Sequence, residues 1–161
     1  MSSQHVTPPE GEWAGRAPDS VESIELGSWD DLREKASAVR QAVFVREQGI
    51  PQSLEWDEAD AQCLHAVILD EQKQPVATGR LLPDGHIGRM AVLADRRRGG
   101  LGGRVLQALI EAARQRGHDR VMLSAQVHAL SFYRGHGFEA EGQVYDDVGI
   151  PHQDMTRRLR P

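Results

Sequence analysis

The chain has 161 residues, of which 39% are apolar and 27% charged, with a formal net charge of −5. That balance fits one soluble globular domain and excludes disordered, fibrous and transmembrane classes, because no apolar run approaches bilayer length. One cysteine, Cys63, excludes an intramolecular disulfide and suits a reducing cytoplasm, the expected location.

Residues 1–20 are rich in Pro, Gly and Ser and lack the basic start and apolar core of a secretory signal, so a flexible tail is expected there and a single domain over 21–161. Val21 to Leu26 alternates apolar and polar and reads as an opening strand. Ser28 or Asp30 can cap a helix on which Leu32, Ala36, Val39 and Val43 recur at helical spacing, running to about Val45. Gly49-Ile50-Pro51 ends it, and residues 52–62 form a polar, acidic loop or short helix.

Leu64 to Leu69, Pro75 to Leu82 and His86 to Val92 read as three strands of a meander, joined by Asp70 to Gln74 and by the turn Pro83-Asp84-Gly85. Leu101 to Arg116 is an amphipathic helix stopped by Gly117. Arg120 to Ala125 is a short strand, expected parallel to its neighbour. Leu130 to His136 is a short helix. Phe138 to Tyr145 and Gln153 to Leu159 close the chain as a strand pair, joined by a loop containing Gly149-Ile150-Pro151. The order implies a mixed α/β sheet with helices on its faces.

Charge is unevenly placed. Residues 47–60 hold Glu47, Glu55, Asp57, Glu58 and Asp60 with no basic residue. Residues 96–104 hold Arg96, Arg97, Arg98 and Arg104 among neutral residues, with glycines at 99, 100, 102 and 103. A globally acidic chain with one basic turn is not a general nucleic-acid binder. A strand, a glycine-rich turn and a helix start together make an anion site, because the first helical N–H groups have no internal partners and the helix dipole is positive there. No Gly-Lys-Ser/Thr follows, so the turn is not a P-loop, and Val105 breaks the dinucleotide fingerprint.

Val92, four residues, then Arg97-x-x-Gly100-x-Gly102 resembles the acetyl-CoA pyrophosphate loop of the GNAT N-acetyltransferases. Gln126 to Phe138, with Phe132-Tyr133 followed by Gly137-Phe138, resembles that family's second cofactor motif. The resemblance covers roughly residues 21–160 and narrows to the ElaA/YjcF-like subgroup through Ala42 to Gln48, Ala125 to His128 and Gly149 to His152. It implies the GNAT acyl-CoA N-acyltransferase fold, an α+β domain with a mixed central sheet of about six to seven strands flanked by helices. Arg40 and Phe44 followed by Glu55, Asp57 and Asp60 also resemble the N-terminal signature of acyl-homoserine-lactone synthases, which share the acyltransferase fold.

The resemblance implies acetyl-CoA as co-substrate, with no metal. Arg97, Arg98, Gly99, Gly100, Leu101, Gly102 and Gly103 would hold its pyrophosphate. The Met90 amide would bond the acetyl oxygen, Ala91 and Val92 would line the pantetheine arm, and Gln126 would start the second motif. Tyr133 would protonate the leaving thiolate, since a phenol near pKa 10 is protonated at neutral pH. Glu47, Glu55, Asp57, His65, His152 or a water chain are candidates for the base, with Glu47 favoured by its place at the end of the first helix. Arg40, Phe44, Gln48, Glu55, Asp57, His65 and His152 are the expected acceptor-binding set. The acceptor would be a small-molecule or peptide amine, and the acidic stretch favours a cationic one. No nucleic-acid or membrane partner is expected, and a homodimer is compatible with the resemblance. A non-catalytic acyl-CoA sensor and an acyl-homoserine-lactone-synthase-like acyltransferase remain as alternatives. Cys63 reads as a loop thiol of no catalytic use.

Overall fold

The computed structural model describes residues 22–160. The expected tail and Val21 lie outside the described residues. Strand β1 spans Ser23–Gly27, so its register begins two residues later than the alternation suggests. Helix α1 spans Trp29–Arg40, with the Ser28 hydroxyl accepting from the Asp31 amide at 3.2 Å and Asp30 and Asp31 in the first turn. The expected α-helix to Val45 ends at Arg40 and continues as π-helical turns over Gln41–Glu47. Such widened turns are rare and cluster at functional sites. Two short 3-10 turns, Gln52–Leu54 and Glu58–Gln62, fill the acidic stretch.

Strands β2 (Leu64–Leu69), β3 (Pro75–Leu81) and β4 (Ile87–Val92) follow as the expected antiparallel meander. Helix α2 spans Leu101–Gln115, β5 Arg120–Gln126 and helix α3 Leu130–Arg134. Strands β6 (Glu139–Asp147) and β7 (Ile150–Arg158) end the fold. Ile150 and Pro151 belong to β7 rather than to a loop. The connection is only Val148 and Gly149, both at positive φ (54° and 78°), as a two-residue hairpin turn requires. For a β-branched valine that backbone is strained.

Among the described residues the strands form two antiparallel sheets, β1-β2-β3-β4 and β5-β7-β6. They meet at one parallel bridge, His86 to Met122, with the Met122 amide donating to Gly85 O at 3.1 Å. Beyond that bridge β4 and β5 part toward their C-terminal ends. The four-stranded sheet is buried on both faces. Ala66 and Ile68 of β2 face the main core under α2 with Val105, Leu106, Leu109 and Ile110. Val67 and Leu69 face α1 with Trp29, Leu32 and Ala36. That double burial explains why β2 is a continuous apolar run rather than an alternating one.

A β-bulge interrupts β4. Thr78 pairs with Ala91 and Arg80 with Gly88, so Gly79 opposes both Arg89 and Met90. Arg89 has φ +49°, and a Cβ on Gly79 would sit 2.6 Å from Met90 Sδ and 2.8 Å from Val105 Cγ1. The glycine therefore makes room for Met90 to turn inward, and the bulge turns Arg89 the other way.

Candidate active site

The glycine turn leaves the end of β4 through Ala94–Arg96 and enters α2 at Leu101. Arg98 (φ +77°) and Gly100 (φ +79°) alternate with ordinary residues, a pattern that gathers successive backbone N–H groups on one side. The first helix-type bond is donated by Arg104 to Gly100 O at 3.1 Å, which leaves the amides of residues 101–103 ahead of the ladder. A Cβ on Gly100 would meet nothing within 4 Å, so space lies above the turn. Arg98, Gly99 and Leu101 border a small concavity of about 280 Å³. Gly102 and Gly103 lie buried in the first turn of α2.

The arginines of the run are mostly paired. Arg96 donates to Asp70 at 2.9 Å, and Arg104 lies 3.6 Å from Glu22. Arg97 grips Glu47 with two bonds of 2.6 Å and donates Nε to Val92 O at 2.9 Å. The positive charge at this turn is therefore carried chiefly by backbone amides and by exposed Arg98.

Between the parted ends of β4 and β5 lies a cleft of about 930 Å³. Met90, Arg97, Gln126 and Tyr133 line it, as do Phe44, Glu47 and Gln48 from the π-helical segment. Gln126 donates to Gln48 at 3.1 Å and ties the end of β5 to that segment. Tyr133 is 7% exposed and packs edge-on against Phe132 and Phe138, with ring centroids 5.0 and 6.0 Å away. Burial pushes its phenol well above the usual range, so it stays protonated. His152 also lines the cleft. Its Nδ1 lies 2.8 Å from Ile150 O, and since a carbonyl only accepts, Nδ1 carries the proton and Nε2 keeps its lone pair.

The acidic stretch folds into a buried ion-pair knot. Arg40 is 1% exposed and hydrogen-bonds both carboxylate oxygens of Asp60 (3.1 and 2.8 Å) and the Glu55 carbonyl (2.8 Å), and its Nε lies in ion-pair range of the Glu55 carboxylate at 3.2 Å without hydrogen-bonding it. Its guanidinium lies 5.2 Å over the Trp29 ring. Arg80 bonds Asp57 at 2.7 and 3.1 Å and Asp60 at 2.7 Å, and Arg89 reaches Asp57 at 3.2 Å. His65 is fully buried, 4.9 Å from the Trp29 ring, with Nε2 2.9 Å from Asp60 O. Desolvation holds that imidazole below its usual pKa and therefore neutral.

Several expectations change on these facts. Arg40, Glu55 and His65 lie beneath the cleft rather than along it, where they brace α1 against β2 and β3. Glu47 reaches the cleft, but its hydrogen bonds to Arg97 hold its carboxyl below the usual range, which makes it a poor base. Asp57 lines the cleft, and Arg80 keeps it ionised well below the ordinary carboxylate range. Burial raises Glu55, while at Asp60 burial is outweighed by the two arginines and the net shift is downward. Four of the five carboxylates that favoured a cationic acceptor, Glu47, Glu55, Asp57 and Asp60, are thus already paired. Cys63 is buried, bonds Ala59 O at 3.1 Å, and burial pushes its thiol to about 11, away from nucleophilic use. Phe44, Gln48, Asp57 and His152 do line the cleft.

Sequence reasoning passed over Arg80, Arg89 and the exposed apolar residues Leu54, Trp56 and Val148, all of which line the cleft. A signal existed for Arg80. It is an arginine inside an otherwise uncharged strand, Ala77 to Leu81, and a buried guanidinium demands carboxylate partners. Arg89 had none, because its orientation follows from the bulge. Among the described residues no helix is long and apolar enough to cross a membrane.

The sequence matches the acetyltransferase (GNAT) domain family over residues 30–159. It is 38% identical over 132 residues to an uncharacterized N-acetyltransferase, YjcF, of Bacillus subtilis, an alignment that covers 80% of this chain and 94% of the relative. It is 30% identical over 148 residues to the protein ElaA of Escherichia coli, covering 81% and 96%. The fold is similar to the crystal structure of an acyl-CoA N-acyltransferase from Pseudomonas aeruginosa, with a TM-score of 0.74, 32% identity and coverage of 84% and 99%.

Proposed function

The chain belongs to the GNAT acetyltransferase family, and we propose that it moves an acetyl group from acetyl-CoA to a primary amine by direct attack on the thioester. One observation carries this reading: a single cleft runs from the glycine turn at Arg97, past Met90, to Tyr133 and His152. The amides at the start of α2 and Arg98 would receive the pyrophosphate. The bulge takes Met90 out of the regular β3–β4 ladder, which frees its amide to bond the oxyanion that forms during transfer.

The amine nitrogen bonds to the carbonyl carbon while the C–S bond breaks and sulfur leaves with the electron pair. The proton lost by the amine passes to His152 Nε2. Tyr133, kept protonated by burial, hydrogen-bonds and then protonates the sulfur, and His152 returns its proton through solvent to the phenolate. The base assignment rests on elimination as well as position, since Glu47 and Asp57 are held ionised by arginines and Glu55 and His65 lie off the cleft. A non-catalytic acyl-CoA sensor would need neither Tyr133 nor the acceptor side of the cleft.

The test is thiol release from acetyl-CoA across a panel of amines and N-terminal peptides. Turnover with at least one amine is expected, with kcat/KM lower by about a hundredfold in His152→Gln, the scale of a lost general base. Acetyl-CoA binding without turnover on any amine would favour the sensor. An unchanged kcat/KM in His152→Gln would assign the base to another group or to water.

A further inference from the structure

Arg89 is the charged cleft residue that the fold holds without adequate partners. Asp57 is already gripped twice by Arg80, at 2.7 and 3.1 Å, and Arg89 adds one long contact of 3.2 Å. Its Nε is buried with no hydrogen-bond partner, and so is the Nε of Arg80 beside it. The side chain is 29% exposed, enough to meet a ligand in the cleft it lines. Its backbone sits at φ +49° in a strand, a conformation that persists only when the surroundings enforce it and that clusters at ligand clamps. Desolvation, and then repulsion from Arg80, make the charged guanidinium costly to hold there although Asp57 offsets part of it, so an added anion would relieve it. On the same cleft stand Leu54, Trp56 and Val148, exposed by 44%, 51% and 49%. Val148 is held at positive φ on the tip of the β6–β7 hairpin. Buried donors without acceptors thus lie beside an uncovered apolar rim.

Resting on the acetyl-transfer reading, we infer that the acceptor is a small primary amine bearing both a carboxylate and an apolar side chain, as an aromatic or branched amino acid does. The carboxylate bonds the solvent-facing part of the Arg89 guanidinium, whose side chain is 29% exposed on the cleft, a group suited to carboxylate recognition. The apolar side chain covers Trp56, Leu54 and Val148. Asp57 does not bind the acceptor. It orients Arg89 from behind while Arg80 keeps it ionised.

The experiment compares L-phenylalanine, L-phenylalaninamide and glycine as acceptors for the full-length protein with acetyl-CoA. Phenylalanine is expected to exceed both others in kcat/KM by at least about tenfold, the scale of one charged hydrogen-bond pair. In Arg89→Gln the ratio of phenylalanine to its amide should collapse toward about one, chiefly through KM, and Arg89→Lys should restore part of it. In Trp56→Ala the ratio of phenylalanine to glycine should fall. A wild-type preference for the amide, or an Arg89→Gln loss equal for both, overturns the inference. If no amine is acetylated, the transfer reading fails by itself, and calorimetry of N-acetylphenylalanine against its amide, on CoA-loaded wild type and Arg89→Gln, still decides the carboxylate site. Equal binding of the two ligands to wild type would reject it.

Discussion

The acidic stretch at 47–60 and the basic turn at 96–104 look alike in sequence, each a run of one sign of charge, and both find partners in the fold, but at different depths. Asp57, Asp60 and Glu55 are drawn into contact with Arg40 and Arg80 from elsewhere in the chain, and most of that charge is buried. The turn stays at the surface, and its useful polarity lies in backbone N–H groups rather than in side chains. The difference teaches that side-chain charge in either run is largely taken up by partners within the chain, and that what remains for a ligand is the backbone polarity at a helix start. Buried ions require pairing because desolvation is costly. Amides at a helix start stay available because the helix itself has no acceptors for them.

The largest effect that would test this contrast is on stability. Arg40→Ala leaves Glu55 without its cation and Asp60 with only Arg80, and is expected to destabilise the fold by about 3–5 kcal/mol in urea unfolding. A loss under about 1 kcal/mol would mean the knot is not what braces α1 on the sheet. The knot also has an acid signature. Asp57 and Asp60 have folded pKa values below their unfolded ones, so their contribution is complete above about pH 4, near the unfolded carboxylate value, and fades as pH falls below it. The stability gap between wild type and Asp57→Asn should narrow in that range.

Next in size is the turn. Gly102→Glu puts a side chain and negative charge where the anion would bind, and should weaken CoA binding at least about a hundredfold, or about 2.7 kcal/mol, in a protein that still unfolds cooperatively. Normal affinity would remove the anion from this turn. Tyr133→Phe should keep CoA affinity and lower kcat at least about tenfold, or about 1.4 kcal/mol of barrier. Undiminished kcat would assign thiolate protonation to another group. The smallest effect expected is that of Glu47→Gln. With its carboxylate already ionised and bonded to Arg97, kcat should change less than about threefold, whereas loss of a true general base costs about a hundredfold or more.

Much of the fold was legible from periodicity and turn chemistry. β2 was read to the residue, and α2 to within one position, because an uninterrupted apolar strand and an amphipathic helix closed by Gly117 are local patterns. The glycine turn and the Phe132-Tyr133 helix were legible for the same reason, since what matters there is backbone geometry and spacing within a few residues. α1 was read too long, because nothing local distinguishes an α-helix from the π-helical turns that replace it after Arg40. β7 began earlier than expected, because pairing with β5 at Gln126–His152 and with β6 at Asp147–Ile150 extends the strand through Pro151.

Local reasoning cannot separate the residues expected to bind an acceptor from the scaffold beneath the cleft. Arg40, Glu55 and His65 have the chemistry of a binding set, and only the approach of α1 to β2 and β3 buries them as a scaffold. Arg89 looked like an ordinary strand residue until the bulge opposite Gly79 turned it toward Asp57. The sequence by itself determined most of the elements, the glycine-rich turn before α2 and the short helix that carries Tyr133, because those depend on interactions within one segment. Tertiary structure alone decided which charges neutralise one another and which face the cleft, because pairs such as Arg40–Asp60 and Glu47–Arg97 join residues 20 and 50 positions apart and depend on where the fold places them.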